Sequence, residues 1–360
     1  MKKLCFITSS RADYGTIEIL IDQSLKSNNI QSNLVITGSH SNSIFGSDTE
    51  IKRKKRLSIF KIPIKTKNIN TVSVLNSFAD SIKKLTKLLK KINPDVVIIF
   101  GDRYEMLSSA ITAYVLGINI VHIAGGEKTI GSLDDGFRNS ITKLSNLHFP
   151  VTEEYKSRLI QMGENPKTIF NYGSLNYEKI KKNNYLSKEK LEKKFKFKFL
   201  ERNIIVTFHP SIDSEESVND LNILLKELKK LKKTLVIITS PNADAKGVVL
   251  INKIKKFIKT HKLRNFHFIK SMGSQNYLST LRYVDGTVGN SSSGISEVPF
   301  FGIGTINLGD RQAGRIFTSS IFNTKINSLS IRNSLKKIFS KKMRRKFKIS
   351  KKIYGSGNSS

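Results

Sequence analysis

The residues best suited to chemistry stand directly after short apolar runs. KLCFITS leads into SRADYG, with Arg11 and Asp13; NLVITG leads into His40; DVVIIF leads into GDRYE, with Asp102 and Arg103. INIVHI leads into AGGEKTIGSLDDGFR, which carries Glu127, Asp134, Asp135 and Arg138, and NIIVTF leads into His209 and Pro210. GIGTINLG leads into DRQAGR, with Arg311 and Arg315. Carboxylates, guanidinium groups and imidazoles at so many run ends are the materials of a cleft that moves protons and holds an anion.

The stretch GNSSSGISE adds small hydroxyl residues, Ser291 and Ser292 among them, where a helix would begin. Hydroxyls and free backbone N–H groups at the positive end of a helix suit phosphate oxygens. Glu297 is badly placed for phosphate but well placed for the vicinal hydroxyls of a sugar. Arg311 and Arg315 can neutralise a diphosphate bidentately. Phosphate plus ribose implies a nucleotide. Each group alone has a plainer explanation. Asp13, Asp134 or Ser292 could cap a helix, and Arg11 and Arg138 could pair with surface carboxylates. His122, inside an apolar run, reads as a satisfied core histidine, and His261 and His267 read as structural. Asp102 is harder to dismiss, because it follows a buried run and Gly101, where no cap is needed.

The elements that position these groups alternate strand and helix. Near-continuous apolar runs such as DVVIIF fit strands buried on both faces of a parallel sheet. The alternation lapses between Asn176 and Arg202, a charged stretch with some helix, and then restarts. The expectation is an α/β protein of two Rossmann-like domains, 1–176 and 177–354, with parallel sheets facing across a cleft and a disordered tail at 355–360. Ligands of such sheets lie beyond the carboxyl ends of the strands.

Composition narrows the classes. The formal charge of +34 comes mainly from lysine spread along helix faces, as in LLKELKKLKK, and not from a patch interleaved with aromatics. A specific nucleic-acid partner is therefore not expected, although the excess attracts small anions to any cleft. No apolar run approaches the ~20 residues of a membrane span. Cys5 is the only cysteine, so internal disulfides and cysteine-cluster metal sites are out, and a reduced, cytoplasmic location is expected. The glycines of GIGTINLG have the wrong spacing for a dinucleotide fingerprint, so no nicotinamide cofactor is inferred.

RADYG, TGSH, GDRYE, HIAGGE with DDGFRNSITK, and GNSSSGISEVP with INLGDRQAGR occur together in that order. The chain thereby resembles the hydrolysing UDP-N-acetylglucosamine 2-epimerases of sialic and legionaminic acid biosynthesis, from the first strand to Arg315. The resemblance implies a GT-B fold, no metal or redox cofactor, and a homodimer or homotetramer. It implies anti elimination of UDP across C1–C2 to a glycal, then syn addition of water to give an amino sugar inverted at C2. Carried over by position, Arg103, Ser291, Ser292 and Arg311 hold the diphosphate and Glu297 the ribose. Arg11 and Asp13 match nucleotide-sugar contacts, Asp102 and Asp134 match catalytic carboxylates, and His40 and His209 match histidines near the sugar and phosphates; Arg138 joins the substrate-binding set. A GT-B glycosyltransferase using a UDP-sugar donor is the alternative.

One departure matters. Many members carry a catalytic glutamate two residues after the histidine of the HI-x-GG motif, where this chain has Ala124. Either Glu127 substitutes, or the role passes to Asp134 or Asp135, or Ala124 opens room for a modified sugar. Loss of activity is the remaining alternative, against which stands the otherwise intact set. Base selection is expected from backbone groups around FHFIKSMG.

Overall fold

The computed structural model describes residues 1–38, 51, 54–63, 71–130, 132–210, 214–241, 245–347, 353–355, 357 and 359–360. His40 lies outside these residues, and so do the side chains of residues 11, 12, 71, 214, 215, 245 and 246. The chain divides into two compact units, Met1–Lys179 with Tyr354–Ser360, and Ile180–Ile353.

The first unit holds β1 (Lys2–Thr8), β2 (Ile30–Ile36), β3 (Leu57–Lys61), β4 (Val96–Phe100), β5 (Asn119–Ile123) and β6 (Leu147–Phe149). They form one sheet in the order β3-β2-β1-β4-β5-β6, with every paired neighbour parallel. Successive side chains of a strand point to opposite faces. Cys5, Ile7, Val97 and Ile99 accordingly enter one apolar cluster, and Phe6 and Ile98 enter another. Two covered faces explain why β1 and β4 read as unbroken apolar runs. Each such buried aliphatic side chain contributes ~1.5–3 kcal/mol.

The second unit repeats the plan with β7 (Arg202–Thr207), β8 (Thr234–Thr239), β9 (Phe266–Ile269), β10 (Gly286–Gly289), β11 (Gly304–Leu308) and β12 (Ile321–Thr324). Its order is β12-β11-β10-β7-β8-β9, again parallel. Both sheets reverse direction of winding once, between β1 and β4 and between β7 and β10. Such a switch point splays two loops apart at the carboxyl edge and leaves a crevice. The chain is thus α/β with two Rossmann-like units, a GT-B-like fold.

The charged stretch before Arg202 forms the helices Leu175–Lys182 and Lys188–Phe195. The tail differs from expectation, because its described residues are tied to the first unit. Ser359 and Ser360 donate backbone N–H groups to Glu178 Oε2 at 2.7 Å, and Tyr354 O accepts from Ser174 N at 2.8 Å. Glu178 is buried, and its carboxylate needs these donors. Among the described residues, no helix is long and apolar enough to cross a membrane.

Candidate active site

In the first unit the site motifs follow β1, β4 and β5. After β1, Ser10 caps the helix Arg11–Ser24 and accepts Asp13 N at 3.1 Å. Asp13 reaches back, its Oδ2 accepting Ser9 Oγ at 2.8 Å and Ser9 N at 3.3 Å, a reciprocal capping arrangement. Burial pushes the Asp13 carboxyl above its ordinary range, opposed by the nearby charge of Arg103.

After β4, Gly101 takes φ +86, a left-handed conformation that a side chain would strain, and turns the chain outward. Asp102 follows, then Arg103 at the extended start of the helix Tyr104–Val115, without a side-chain cap bond. Arg103 grips Glu105 with Nε to Oε2 at 3.1 Å and Nη2 to Oε1 at 3.2 Å. Burial weakens the Arg103 charge, but Glu105, Asp13 and Asp134 together hold its guanidinium above its usual value.

The helix Leu133–Leu144 supplies the rest. Arg138 is read from sequence as a substrate contact, but it is 1% exposed and its guanidinium is filled by protein acceptors. Nη2 donates to Asp102 Oδ2 and to Thr129 Oγ1, and Nη1 to Glu127 O at 2.9 Å and Asp135 Oδ1 at 3.0 Å. It lies one turn after Asp135 on a helix packed against β5 and the helix Tyr104–Val115, and its bond to Asp102 makes it that residue's anchor. Asp135 is engaged in the same way, accepting Thr129 N at 2.7 Å. Asp134 is not itself the cap, which is Ser132, whose Oγ accepts Asp134 N at 3.2 Å. Its carboxyl is raised by burial and by the charge of Asp102, against Arg103 and Arg138.

His122 is the core histidine expected. It is fully buried, with Nε2 donating to Gly101 O at 3.0 Å and Nδ1 accepting from Thr142 Oγ1 at 3.1 Å. Burial pulls it down to about 4, so it is neutral and holds that tautomer. Ala124, at φ +66, turns the chain after β5. A Cβ at Gly126 would meet Tyr155 O at 2.6 Å, so the turn is closely packed.

In the second unit the motifs follow β7, β10 and β11. His209 comes directly after β7, and burial together with Arg311 lowers it to about 4. Its peptide N–H donates to Asn290 Oδ1 at 2.7 Å. After β10, the helix expected at the serines is only one turn, Ser293–Ser296, running into the 3-10 turn Val298–Phe301. Pro299 removes an N–H donor, and Gly302 at φ +65 ends the turn. So few aligned peptides sum to little macrodipole, and any anion affinity here rests on the hydroxyls and loop N–H groups. Ser292 stands at the start of that turn, exposed, with no side-chain cap bond, so the plain capping explanation fails for it. Ser291 Oγ accepts Ser293 N at 3.4 Å, and Ser293 Oγ pairs with Tyr277 OH at 2.6 Å. Glu297 closes the one-turn helix, near enough to Tyr277 to raise its phenol further beyond the effect of burial. Arg311 is exposed after β11 and donates from Nη1 to Asn290 O at 3.1 Å.

The structure thus brings Asp13, Asp102, Arg103 and Asp134 together on the switch-point edge of one sheet, with Glu127 entering through its carbonyl. It brings His209, Ser291, Ser292, Glu297 and Arg311 onto the corresponding edge of the other. Sequence reasoning passed over Glu105, Asn290 and Gln312, although each lies within a quoted motif. Among the described residues, no group of His, Cys, Asp and Glu is arranged to hold a metal. A depression of about 740 Å³ lined by Lys193, Phe197, Arg264 and His267 includes Leu235, at the amino end of β8, and none of the carboxylates, serines or arginines of the strand-end motifs.

Comparison with known proteins fits this geometry. Residues 23–360 match the family model described as UDP-N-acetylglucosamine 2-epimerase. The chain is 38% identical over 333 residues to the GDP/UDP-N,N'-diacetylbacillosamine 2-epimerase (hydrolyzing) of Campylobacter jejuni, covering 91% of this chain and 85% of that protein. It is equally 38% identical to the polysialic acid biosynthesis protein P7 of Escherichia coli, covering 92% and 84%. In fold it is similar to UDP-GlcNAc 2-epimerase from Neisseria meningitidis bound to UDP-GlcNAc, at TM-score 0.83 and 20% identity, covering 100% of this chain and 97% of that one. With two switch-point sheets carrying these motifs and a family match over most of its length, the chain belongs to the UDP-N-acetylglucosamine 2-epimerase family, among its hydrolysing members.

Proposed function

We propose that this hydrolysing 2-epimerase takes a UDP-activated N-acetylated amino sugar, with UDP held by the loops of the second unit and the sugar carbons by the carboxylates of the first. The observation that carries the reading is the pair Asp102 and Asp134 on one sheet edge. Asp102 is fixed by a buried guanidinium, and Asp134 is disposed by burial and by Asp102 to keep its proton. A carboxyl raised by burial beside a second carboxylate is suited to the part of the acid.

In the elimination, a carboxylate takes the C2 proton while the C1–O bond breaks and UDP leaves with its electron pair, giving the glycal. In the hydration, a carboxyl delivers a proton to C2 while water bonds to C1 and gives its own proton to the carboxylate so formed; the proton taken in the elimination passes to solvent. Asp102 is the base and Asp134 the acid in this scheme. Asp134 then fills the role left by Ala124, since Asp135 is engaged by Arg138 and Thr129. Exposed Ser292 and Arg311 take the departing diphosphate, Ser291, Arg103 and the neutral His209 assist, and Glu297 takes the ribose. Arg11, Asp13 and His40 complete the amino-terminal contacts. Backbone groups of residues 266–273 select the base.

The two sugars worth setting against each other are UDP-N-acetylglucosamine and UDP-N,N'-diacetylbacillosamine, the second named for the Campylobacter relative. We favour the diacetamido sugar, on that relative's identity and the small side chain at Ala124. Product analysis by NMR in heavy water tests the proposal. It expects UDP, a free manno-configured sugar and one deuterium at C2, without any acceptor. Undeuterated C2, or a need for an acceptor as in a glycosyltransferase, refutes it. A cytoplasmic location and a homodimer or homotetramer belong to the same proposal, the latter checked by light scattering.

A further inference from the structure

Asn290 is the residue after β10, 5% exposed, and its side chain pairs both main-chain polar groups of one residue, His209. Oδ1 accepts the His209 N–H at 2.7 Å, and Nδ2 donates to the His209 carbonyl at 2.9 Å. Its own carbonyl accepts Arg311 Nη1 at 3.1 Å and Gln312 Nε2 at 2.9 Å. Gln312 is itself buried. One residue therefore joins the loops after β7, β10 and β11, at the switch point of its sheet.

We infer that Asn290 is a positioning residue that holds His209 and Arg311 in register with the serine loop, an inference that rests on these two groups facing the bound nucleotide. An amide is the fitting side chain, because it offers a donor and an acceptor on separate atoms at one short reach. Aspartate lacks the donor, and alanine lacks both. Holding the N–H before and the carbonyl after the His209 Cα fixes where the imidazole starts, and holding Arg311 by the same residue ties the cation to it. Diphosphate recognition depends on such spacing more than on the presence of the groups.

The test is a double-mutant cycle on the affinity of the full chain for UDP, measured by calorimetry at neutral pH. Asn290→Ala is expected to weaken UDP about tenfold, near the worth of two neutral hydrogen bonds. In a His209→Ala background the same change should cost less than about twofold, because the imidazole that the side chain positions is gone and the residue 290 carbonyl that holds Arg311 is kept throughout. A purely structural role gives equal losses in both backgrounds, and that result, or wild-type affinity in Asn290→Ala, overturns the inference. Should the alanine variant not fold, the nearly isosteric Asn290→Asp runs the same cycle, its added charge acting on UDP alike in both backgrounds. Ser292→Ala and Arg311→Ala form a separate arm. If neither weakens UDP, the functional reading fails and takes this inference with it. If they do while the cycle is additive, only the role of Asn290 fails.

Discussion

Replacing Arg138 with methionine keeps length and apolar bulk in a site that is 1% exposed, yet strips four acceptors of their donor. Asp102 would lose the counter-ion that holds it and Asp135 would keep only Arg158 Nη2 at 3.9 Å, each with about a quarter of its side chain in water, 24% and 23% exposed. Removing one partner of a buried pair costs ~3–5 kcal/mol. Partial solvation of the carboxylates moves the estimate to the lower end, and the two carbonyl and hydroxyl acceptors restore ~1 kcal/mol or so. A loss of about 3–4 kcal/mol at neutral pH follows, about 1–2 M in urea midpoint at a slope of ~2–3 kcal/mol/M. Circular dichroism measures the midpoint, and hydrogen exchange in the helix Leu133–Leu144 reports the first unit alone. The pH dependence has a sign. Asp134 is raised above its unfolded value, with Arg138 among the charges that restrain the rise. Without Arg138 the rise grows, so the penalty is largest above the folded pKa and vanishes below the unfolded value of ~3.9. The gap between variant and wild type should therefore narrow as pH falls from 7 to 4. Turnover should fall about a hundredfold as Asp102 loses its orientation. Arg138→Lys, a point charge unable to serve four acceptors, should lie between in stability and still lose most turnover. Wild-type turnover in Arg138→Met, or a stability gap constant with pH, would refute the reasoning.

Asp102→Asn should abolish turnover and leave UDP affinity within about twofold, since it removes a base without touching the second unit; retained turnover measured by UDP release reassigns the base. His209, lowered to about 4, should titrate near that value in the free protein by NMR of its ring protons. Both Arg311→Ala and bound UDP should move it upward, because the first removes a cation and the second adds negative charge; no movement in either case would place His209 away from Arg311. Ala124→Gly relieves a left-handed alanine at φ +66. Part of the ~1–2 kcal/mol of strain is offset by chain entropy in the unfolded state, so urea unfolding should show a gain of up to ~1 kcal/mol, and a loss would show that the turn is not strained.

The strand-end motifs and nine of the twelve strands were legible because both faces of each sheet are covered, so β1, β4, β5, β7 and β8 appear as apolar runs whatever lies beside them. The polar residues that follow such runs were legible too, since a parallel sheet sends every carboxyl end to one edge. His122 as a core group and Asp102 as more than a cap followed from local position alone. Three features were not available that way. β10, GTVG, is the central strand of the second sheet yet has no strand signature. Its glycines are there because a Cβ at Gly286 would lie 2.2 Å from Ile338 Cδ1 and one at Gly289 would lie 1.9 Å from Thr207 O. Arg138 looked like a substrate contact, because only the packing of its helix against β5 and the helix Tyr104–Val115 decides that its guanidinium meets Asp102 and not solvent. The tail looked disordered, because its partner Glu178 lies far away along the chain. Local pattern encodes which segments are strands and where polar groups must emerge; which of those groups pair, and which remain open to a ligand, depends on neighbours distant in sequence, and tertiary structure alone settles it.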